Sequence, residues 1–159
     1  MRKEARKINW KALIVCILIV AFVELIGSLF TSPSVNSSWY EAIKPSITPP
    51  GWVFPIVWNI LFLLIAISLY FTWQASKNAE KKKMTAHVYG VNFYLNIIWS
   101  MLFFGFRNPP VALYQIGLLL ISIALMIIYA WKIDRRASYL LIPYLLWVSF
   151  ASVLNYLSI

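Results

Sequence analysis

The sequence predicts an all-α integral membrane protein: a bundle of five transmembrane helices, with the N-terminus in the cytoplasm and the C-terminus outside. Hydrophobic residues make up 62% of the 159 positions and charged residues only 12%, whereas about 25% of the residues in a soluble domain are charged. A soluble domain of this length cannot hide so much apolar surface. Five separate runs are also about as long and as apolar as a helix that crosses the hydrocarbon core.

The five predicted spans cover approximately residues 10–30, 52–74, 86–106, 110–131 and 137–156. The first span follows a basic N-terminus, as the core of a signal peptide does, but its apolar run is too long for one. We therefore expect a retained helix. The link between the third and fourth spans is so short that they should form an antiparallel hairpin. Together the spans predict a single membrane domain over residues 1–159.

Lysine and arginine are concentrated at one end of the predicted bundle. With five spans, twelve of them fall on the side of the N-terminus and only Lys44 and Arg107 fall on the other. The twelve are Arg2, Lys3, Arg6, Lys7, Lys11, Lys77, Lys81, Lys82, Lys83, Lys132, Arg135 and Arg136. Because cytoplasmic segments carry an excess of basic residues, this asymmetry predicts the orientation and a multi-pass protein of a bacterial inner or plasma membrane. It also accounts for the net charge of +9 without a nucleic-acid partner.

The first loop, residues 31–51, is long for so compact a protein. Trp39, Tyr40, Ile43 and Ile47 have the spacing to line one face of a short interfacial helix, and prolines follow before the second span. Long structured loops often act as lids, so we expect this loop to cover a pocket. The alternative is that its aromatic residues only form a belt at the level of the lipid headgroups.

Motifs of soluble enzymes are missing from the sequence. It contains no glycine-rich phosphate loop, no paired metal ligands and no nucleophile-elbow pattern. His87 is the only histidine, and one histidine supplies at most one metal or haem ligand, so packing or hydrogen bonding is the favoured interpretation. We expect no metal site, no required cofactor and no conventional catalytic constellation.

Polar residues recur along one face of the third span. Asn92, Asn96 and Ser100 are four residues apart, and Trp99 and Phe103 flank them. Polar groups inside a membrane are costly and are candidates for function. The stripe either holds the bundle together by hydrogen bonds between helices or lines a ligand cavity. For Asn92 the first interpretation is favoured, and for Asn96 both stay open.

Aromatic stripes follow the second and fifth spans at helical spacing. They are Trp52, Pro55, Trp58, Asn59 and Phe62 in the second span, and Pro143, Trp147, Ala151 and Asn155 in the fifth. Belt tryptophans belong at the ends of a span, whereas Trp147 lies near its middle. An indole N–H at that depth needs a partner. The stripes predict an aromatic pocket in the outer half of the membrane, suited to a flat and largely apolar ligand.

Glu24 is the one carboxylate well inside a predicted span. Three roles are open for it: a hydrogen bond across the bundle, a contact to a ligand, or a place in a subunit contact. Gly27 and Ser28 nearby would permit close approach of another helix.

Three motifs in order resemble the translocator protein family, the group of tryptophan-rich sensory proteins related to the peripheral benzodiazepine receptor. The first motif is Trp39-Tyr40, Lys44-Pro45-Ser46, Thr48-Pro49-Pro50 and Trp52-x-Phe54-x-x-x-Trp58. The second is Leu95-Asn96-x-x-Trp99-Ser100-x-x-Phe103-Phe104-Gly105, and the third is Pro143-Tyr144-Leu145-x-Trp147-x-x-Phe150-Ala151-x-x-Leu154-Asn155-Tyr156. The charge layout and short tails are more similar to bacterial members than to mitochondrial ones.

The resemblance implies a five-helix bundle, usually a homodimer, with a pocket that opens toward the first loop. It implies binding of porphyrins such as protoporphyrin IX and of synthetic ligands of the benzodiazepine-receptor type. The implied ligand-binding residues are Tyr40, Pro49, Pro50, Trp58, Asn96, Trp147 and Ala151, to which the same motifs add Trp39, Trp99 and Phe150.

The leading hypothesis is a tetrapyrrole-binding membrane protein with a sensory or regulatory role, which stacks the macrocycle between the first loop and helices two, three and five. An enzymatic alternative is light-dependent oxidative degradation of the bound porphyrin, in which the family resemblance implicates Trp58 and Trp147. A third hypothesis is transport of porphyrins or other lipophiles. The lack of an internal repeat argues against transport, because secondary transporters usually show paired repeats.

Overall fold

A computed structural model describes residues 8–159, which form seven α-helices and one π-helical turn. The helices are α1 (Trp10–Thr31), α2 (Ser38–Ile43), α3 (Val53–Ala75), α4 (Ala79–Ser100), α5 (Pro109–Ile133), α6 (Arg135–Tyr139) and α7 (Ile142–Leu157). The π-helical turn, Met101–Gly105, continues α4. Five segments of this described chain are long and apolar enough to cross a membrane, which confirms the predicted all-α fold with five spans.

The two ends of the bundle differ in what they carry. Because successive spans alternate in direction, the first loop, Arg107 and the C-terminal residues share one end, which we call the loop end. Lys77, residues 81–83 and Lys132 share the opposite, basic end. Four residues of the predicted basic cluster lie outside the described residues: Arg2, Lys3, Arg6 and Lys7. The orientation across the membrane stays a prediction.

The third span begins at Ala79, whereas the sequence predicted a start near residue 86. The side-chain oxygen of Asn78 accepts the N–H of Lys81 at 2.8 Å and caps the helix. Its first turns are charged and exposed at the basic end, so the helix extends beyond its apolar part. Hydropathy detects only that apolar part.

The fifth span is interrupted, whereas the sequence predicted one continuous helix over residues 137–156. α6 ends at Tyr139 and α7 begins at Ile142. Pro143 has no N–H to donate to the carbonyl of Tyr139, so the regular ladder of hydrogen bonds cannot continue through this point.

The interruption is tied to α3 by a buried hydroxyl. The N–H of Leu141 bonds the carbonyl of Ser138 at 3.1 Å, which leaves the carbonyl of Ala137 without its helical donor. Ser68 Oγ donates to that carbonyl at 2.8 Å and lies 2.7 Å from the hydroxyl of Tyr89 on α4. One serine thus links three elements in the basic half of the bundle.

The inward stripe of α5 is almost fully buried along the length of the helix and consists of Ala112, Ile116, Leu119, Ile123, Met126 and Ala130. In the loop half, the other four spans surround a cavity, and the first loop folds over its end.

The first loop contains the expected short helix. Ser37 Oγ accepts the N–H of Tyr40 and caps α2, and Ser34 Oγ donates to the carbonyl of Phe104 at 3.1 Å, which ties the loop to the end of α4. α2 ends at Ile43, so Ile47 is not on its face and is exposed. The reason is Pro45, which forces the preceding residue into an extended conformation.

Candidate functional site

A cavity of about 570 Å³ lies between the first loop and the loop-end halves of α1, α3, α4 and α7. Among the described residues α5 contributes nothing to its lining. The volume lies within the range of about 300–1,000 Å³ that is usual for small-molecule sites. The cavity is therefore a candidate ligand site, partly covered at the loop end by α2 and its flanking residues.

Each of the four spans presents one helical face to the cavity, with the spacing i, i+3 or i+4, and i+7. The faces are Glu24, Gly27, Ser28 and Thr31 on α1; Pro55, Trp58, Asn59 and Phe62 on α3; Asn96, Trp99 and Ser100 on α4 with Phe103 on the π-helical turn that continues it; and Trp147, Ala151, Leu154 and Asn155 on α7. The stripes noted in the second, third and fifth spans thus meet around one space. The α1 face was not assigned to the pocket from sequence, although its small and polar residues show the same spacing.

Six of the ten residues predicted to bind ligand line the cavity: Tyr40, Trp58, Asn96, Trp99, Trp147 and Ala151. The other four are not among its lining residues. Trp39 packs edge-on against Phe103 at 6.0 Å and lies under the guanidinium of Arg107. Phe150 packs against Trp147 with ring centroids 5.7 Å apart. Pro49 and Pro50 belong to the segment that leads into α3, and their contact to a ligand stays a prediction.

Two tryptophans supply the main aromatic surface of the α3 and α7 walls. Trp58 stacks on Phe62 at 5.4 Å with an angle of 30° between the rings, and it meets Tyr144 edge-on at 6.3 Å. Trp147 meets Phe54 edge-on at 5.8 Å. These contacts hold the ring orientations, so the indoles form a fixed surface against which a flat ligand can stack.

The indole nitrogen of Trp147 is buried and has no hydrogen-bond partner within residues 8–159. Buried polar groups in proteins are nearly always bonded, and an exception calls for an explanation. Trp147 is among the residues that line the cavity, but its nitrogen is not itself exposed there.

Asn96 lies at the deep end of the α4 wall and belongs to a chain of hydrogen bonds. Its amide donates to the hydroxyl of Tyr144 at 3.0 Å, and that hydroxyl donates to Oδ1 of Asn92 at 3.3 Å. The amide of Asn92 then donates to Ser122 on α5 at 2.9 Å. Asn92 therefore forms hydrogen bonds between helices, which is the interpretation favoured from the sequence. Asn96 forms such a bond too and also lines the cavity.

Trp99 is held by a second polar link between spans. Its indole N–H donates to Asn155 Oδ1 at 3.1 Å, and the amide of Asn155 donates to the carbonyl of Pro109 at 2.8 Å. Asn155 thereby joins the ends of α4, α5 and α7 beside the cavity. A ligand that contacts Trp99 meets the ring and not the N–H.

Tyr40 forms the part of the cover that is contributed by α2. Its ring is buried and packs against Phe104 at 5.5 Å. Burial raises the pKa of Tyr40 above its ordinary value, and the neighbouring Glu41 raises it further. The phenol is therefore neutral at physiological pH and can exchange hydrogen bonds with a ligand without bringing a charge.

Residues that form metal sites are not gathered here. Within residues 8–159 no three His, Cys, Asp or Glu side chains come together in a way that would hold a metal ion. His87 is exposed on α4 near the basic end, and Cys16 is buried in the packed core. The polar groups of the cavity are amides, hydroxyls, indoles and one carboxyl group.

Comparison with known proteins shows which family the sequence matches. Residues 13–158 match the TspO/MBR family. A tryptophan-rich protein TspO from Archaeoglobus fulgidus is 41% identical over 150 residues, which cover 93% of this chain and 95% of that protein. The human translocator protein is 36% identical over 74% of this chain and 71% of its own. A tryptophan-rich sensory protein from Cereibacter sphaeroides is 26% identical over 87% of each chain.

Proposed function

Since this chain belongs to the TspO/MBR family, we propose that it is a membrane-embedded receptor that binds a tetrapyrrole such as protoporphyrin IX in the cavity. The role is sensory or regulatory, in line with the name of the Cereibacter relative. The same cavity would accept synthetic ligands of the benzodiazepine-receptor type. The expected homodimer and the expected bacterial inner or plasma membrane belong to this proposal.

One observation carries the proposal: Trp58 and Trp147, from two different spans, line the same cavity of about 570 Å³. A porphyrin is flat, aromatic and mostly apolar, so ring stacking and apolar burial provide its affinity. The polar groups of Asn96 and Tyr40 offer hydrogen-bonding points for its substituents. The cover formed by the first loop would exclude water from the bound macrocycle.

Binding is tested by titrating the purified protein in detergent with protoporphyrin IX and following the porphyrin absorbance together with the quenching of tryptophan fluorescence. We expect saturable binding that weakens when Trp58 and Trp147 are both changed to Phe, because a phenyl ring offers less stacking surface than an indole and has no N–H to donate.

The matched control is the Trp73→Phe/Trp131→Phe double variant. Both of these rings lie toward the basic end, where they contact Lys82 and Arg135. It removes the same number of indoles and should bind as the unaltered protein does. Equal affinity in all three proteins would place the porphyrin elsewhere and overturn the proposal.

A second candidate function is light-dependent oxidative degradation of the bound porphyrin. It is favoured by the same pair of indoles, because Trp58 and Trp147 line the cavity and indoles are readily oxidised. Illumination with dioxygen present should then bleach porphyrin faster with protein than with detergent alone, and the Trp58→Phe/Trp147→Phe variant should lose this acceleration. Equal bleaching with and without protein would exclude this activity and leave binding unaffected.

A further inference from the structure

The α1 wall of the cavity carries an acidic side chain in the middle of a membrane span. Glu24 lies seven residues before Thr31, the last residue of α1, which is about 10 Å along the helix axis. Within the described chain it is the only Asp, Glu, Lys, Arg or His that lines the cavity. Ionisable residues inside a membrane are costly and typically face a cavity where they act on a ligand or an ion.

The carboxyl group of Glu24 has no ion-pair or hydrogen-bond partner in residues 8–159. Side chains near it on the same walls each donate one hydrogen bond within their own helix. Ser28 donates to the carbonyl of Leu25 at 2.7 Å, Thr31 to that of Gly27 at 3.2 Å, and Asn59 to that of Pro55 at 2.7 Å.

The free acceptors of the deep cavity therefore include the carboxyl group of Glu24 and the carbonyl oxygen of Asn96, one of whose two amide N–H groups donates to Tyr144. The hydroxyl of Ser100, beside Gly27, is a free donor. A ligand with N–H groups, and above all one with a protonated amine, satisfies this arrangement better than a ligand with a carboxylate.

We propose that Glu24 determines the ligand specificity of the cavity by selecting flat aromatic ligands that carry an amine or another N–H donor. A carboxylate inside the cavity meets no basic side chain among the described residues, and it meets a like charge whenever Glu24 is ionised. The inference deepens the proposed function, since it assumes that this cavity binds ligand. It implies that an acidic porphyrin binds with its carboxylates turned away from Glu24.

Three pyrene probes with one ring system and different substituents test this selection: 1-pyrenemethylamine, 1-methylpyrene and 1-pyreneacetate. Binding to the protein in a non-ionic detergent is measured by energy transfer from tryptophan to pyrene. We expect the affinity order amine, methyl, carboxylate. In Glu24→Gln the advantage of the amine over the methyl probe should fall by about tenfold or more, since a hydrogen bond to a charged group contributes roughly 1.5–3 kcal/mol.

Glu80→Gln is the matched control, because Glu80 lies in the exposed first turn of α4 at the basic end. It makes the same chemical change outside the cavity and should leave the three affinities unchanged. The ranking of the probes on the unaltered protein is informative even if Glu24→Gln does not fold.

Two outcomes would contradict the inference: equal affinities of the amine and methyl probes for the unaltered protein, or an amine preference that survives in Glu24→Gln. Failure of the porphyrin titration together with an amine preference that depends on Glu24 would overturn the proposed tetrapyrrole and retain the selection by Glu24. Porphyrin binding without any amine preference would retain the proposed tetrapyrrole and overturn the selection by Glu24.

Discussion

The side-chain amide of Asn96 donates a 3.0 Å hydrogen bond to the phenol oxygen of Tyr144, which is almost fully buried. This bond joins the cavity wall on α4 to α7, and through Asn92 and Ser122 it continues to α5. A residue that faces the ligand is thus held by a network that reaches the packed core. The network connects the geometry of the cavity to the stability of the bundle.

Tyr144→Phe should lower both stability and ligand affinity. It leaves the amide of Asn96 and Oδ1 of Asn92 without their shared partner, and bonds between membrane helices contribute about 0.5–2 kcal/mol. Thermal unfolding in detergent measures the first effect and the porphyrin titration the second. Tyr114→Phe, which removes a hydroxyl from a ring that is 82% exposed, is the control. If Tyr144→Phe unfolds and binds as the unaltered protein does, the network has no energetic role.

Ser68→Ala should lower stability without changing ligand binding. The hydroxyl of Ser68 satisfies the carbonyl of Ala137 at the interruption of the fifth span and also contacts Tyr89. Its loss leaves a buried carbonyl unpaired, at a cost of about 1–3 kcal/mol. Ser152→Ala removes a hydroxyl that bonds only within α7 and should change stability by less than about 0.5 kcal/mol. Equal unfolding temperatures of the two variants would contradict this account of the interruption.

Gly105→Ala should destabilise the protein, because an added Cβ would lie 3.0 Å from Phe30 on α1. The ring of Phe30 must then shift at the loop end, and overpacking of this kind costs about 1–3 kcal/mol. Gly117→Ala on α5 is the matched control, since the added methyl meets open space there. That change should raise stability by about 0.4–1 kcal/mol. Thermal unfolding of both variants in detergent gives the sign of each change in stability. A stabilised Gly105→Ala would show that Phe30 can move aside without cost.

Ala151→Leu should weaken porphyrin binding and leave the fold intact. Ala151 lines the cavity one turn after Trp147, so a larger side chain enters the space in front of the indole. Ligand overlap of about 1–3 kcal/mol corresponds to a loss of roughly 5- to 150-fold in affinity. Ser149→Leu adds a leucine to the same helix at an exposed position and should bind normally. Unchanged affinity of Ala151→Leu would mean that the ligand does not reach this wall.

Much of the fold follows from the sequence. Hydropathy predicts the five spans, and the distribution of lysine and arginine separates the two ends of the bundle. Helical spacing also identifies the polar and aromatic faces that contain Trp58, Asn96 and Trp147, because residues three and four apart share one side of a helix.

Local chemistry predicts less about how regular the spans are. The prolines are visible in the sequence, yet only the structure shows that the fifth span stops at Tyr139 and resumes at Ile142. Only the structure shows, too, that Ser68 on another helix satisfies a carbonyl that the interruption releases. A partner so distant in sequence cannot be inferred from the residues around Pro143.

The sequence by itself determined the spans, the two chemically different ends and the faces within each helix. Only the tertiary structure decided which faces meet: it brought Glu24 of α1 to the cavity and left α5 out of its lining. It also gave Asn96 both roles that the sequence had left open, in the hydrogen-bond network of the bundle and on the cavity wall. The physical reason is that lipid tails and neighbouring helices are equally apolar, so hydropathy does not distinguish a face that meets lipid from one that meets another span.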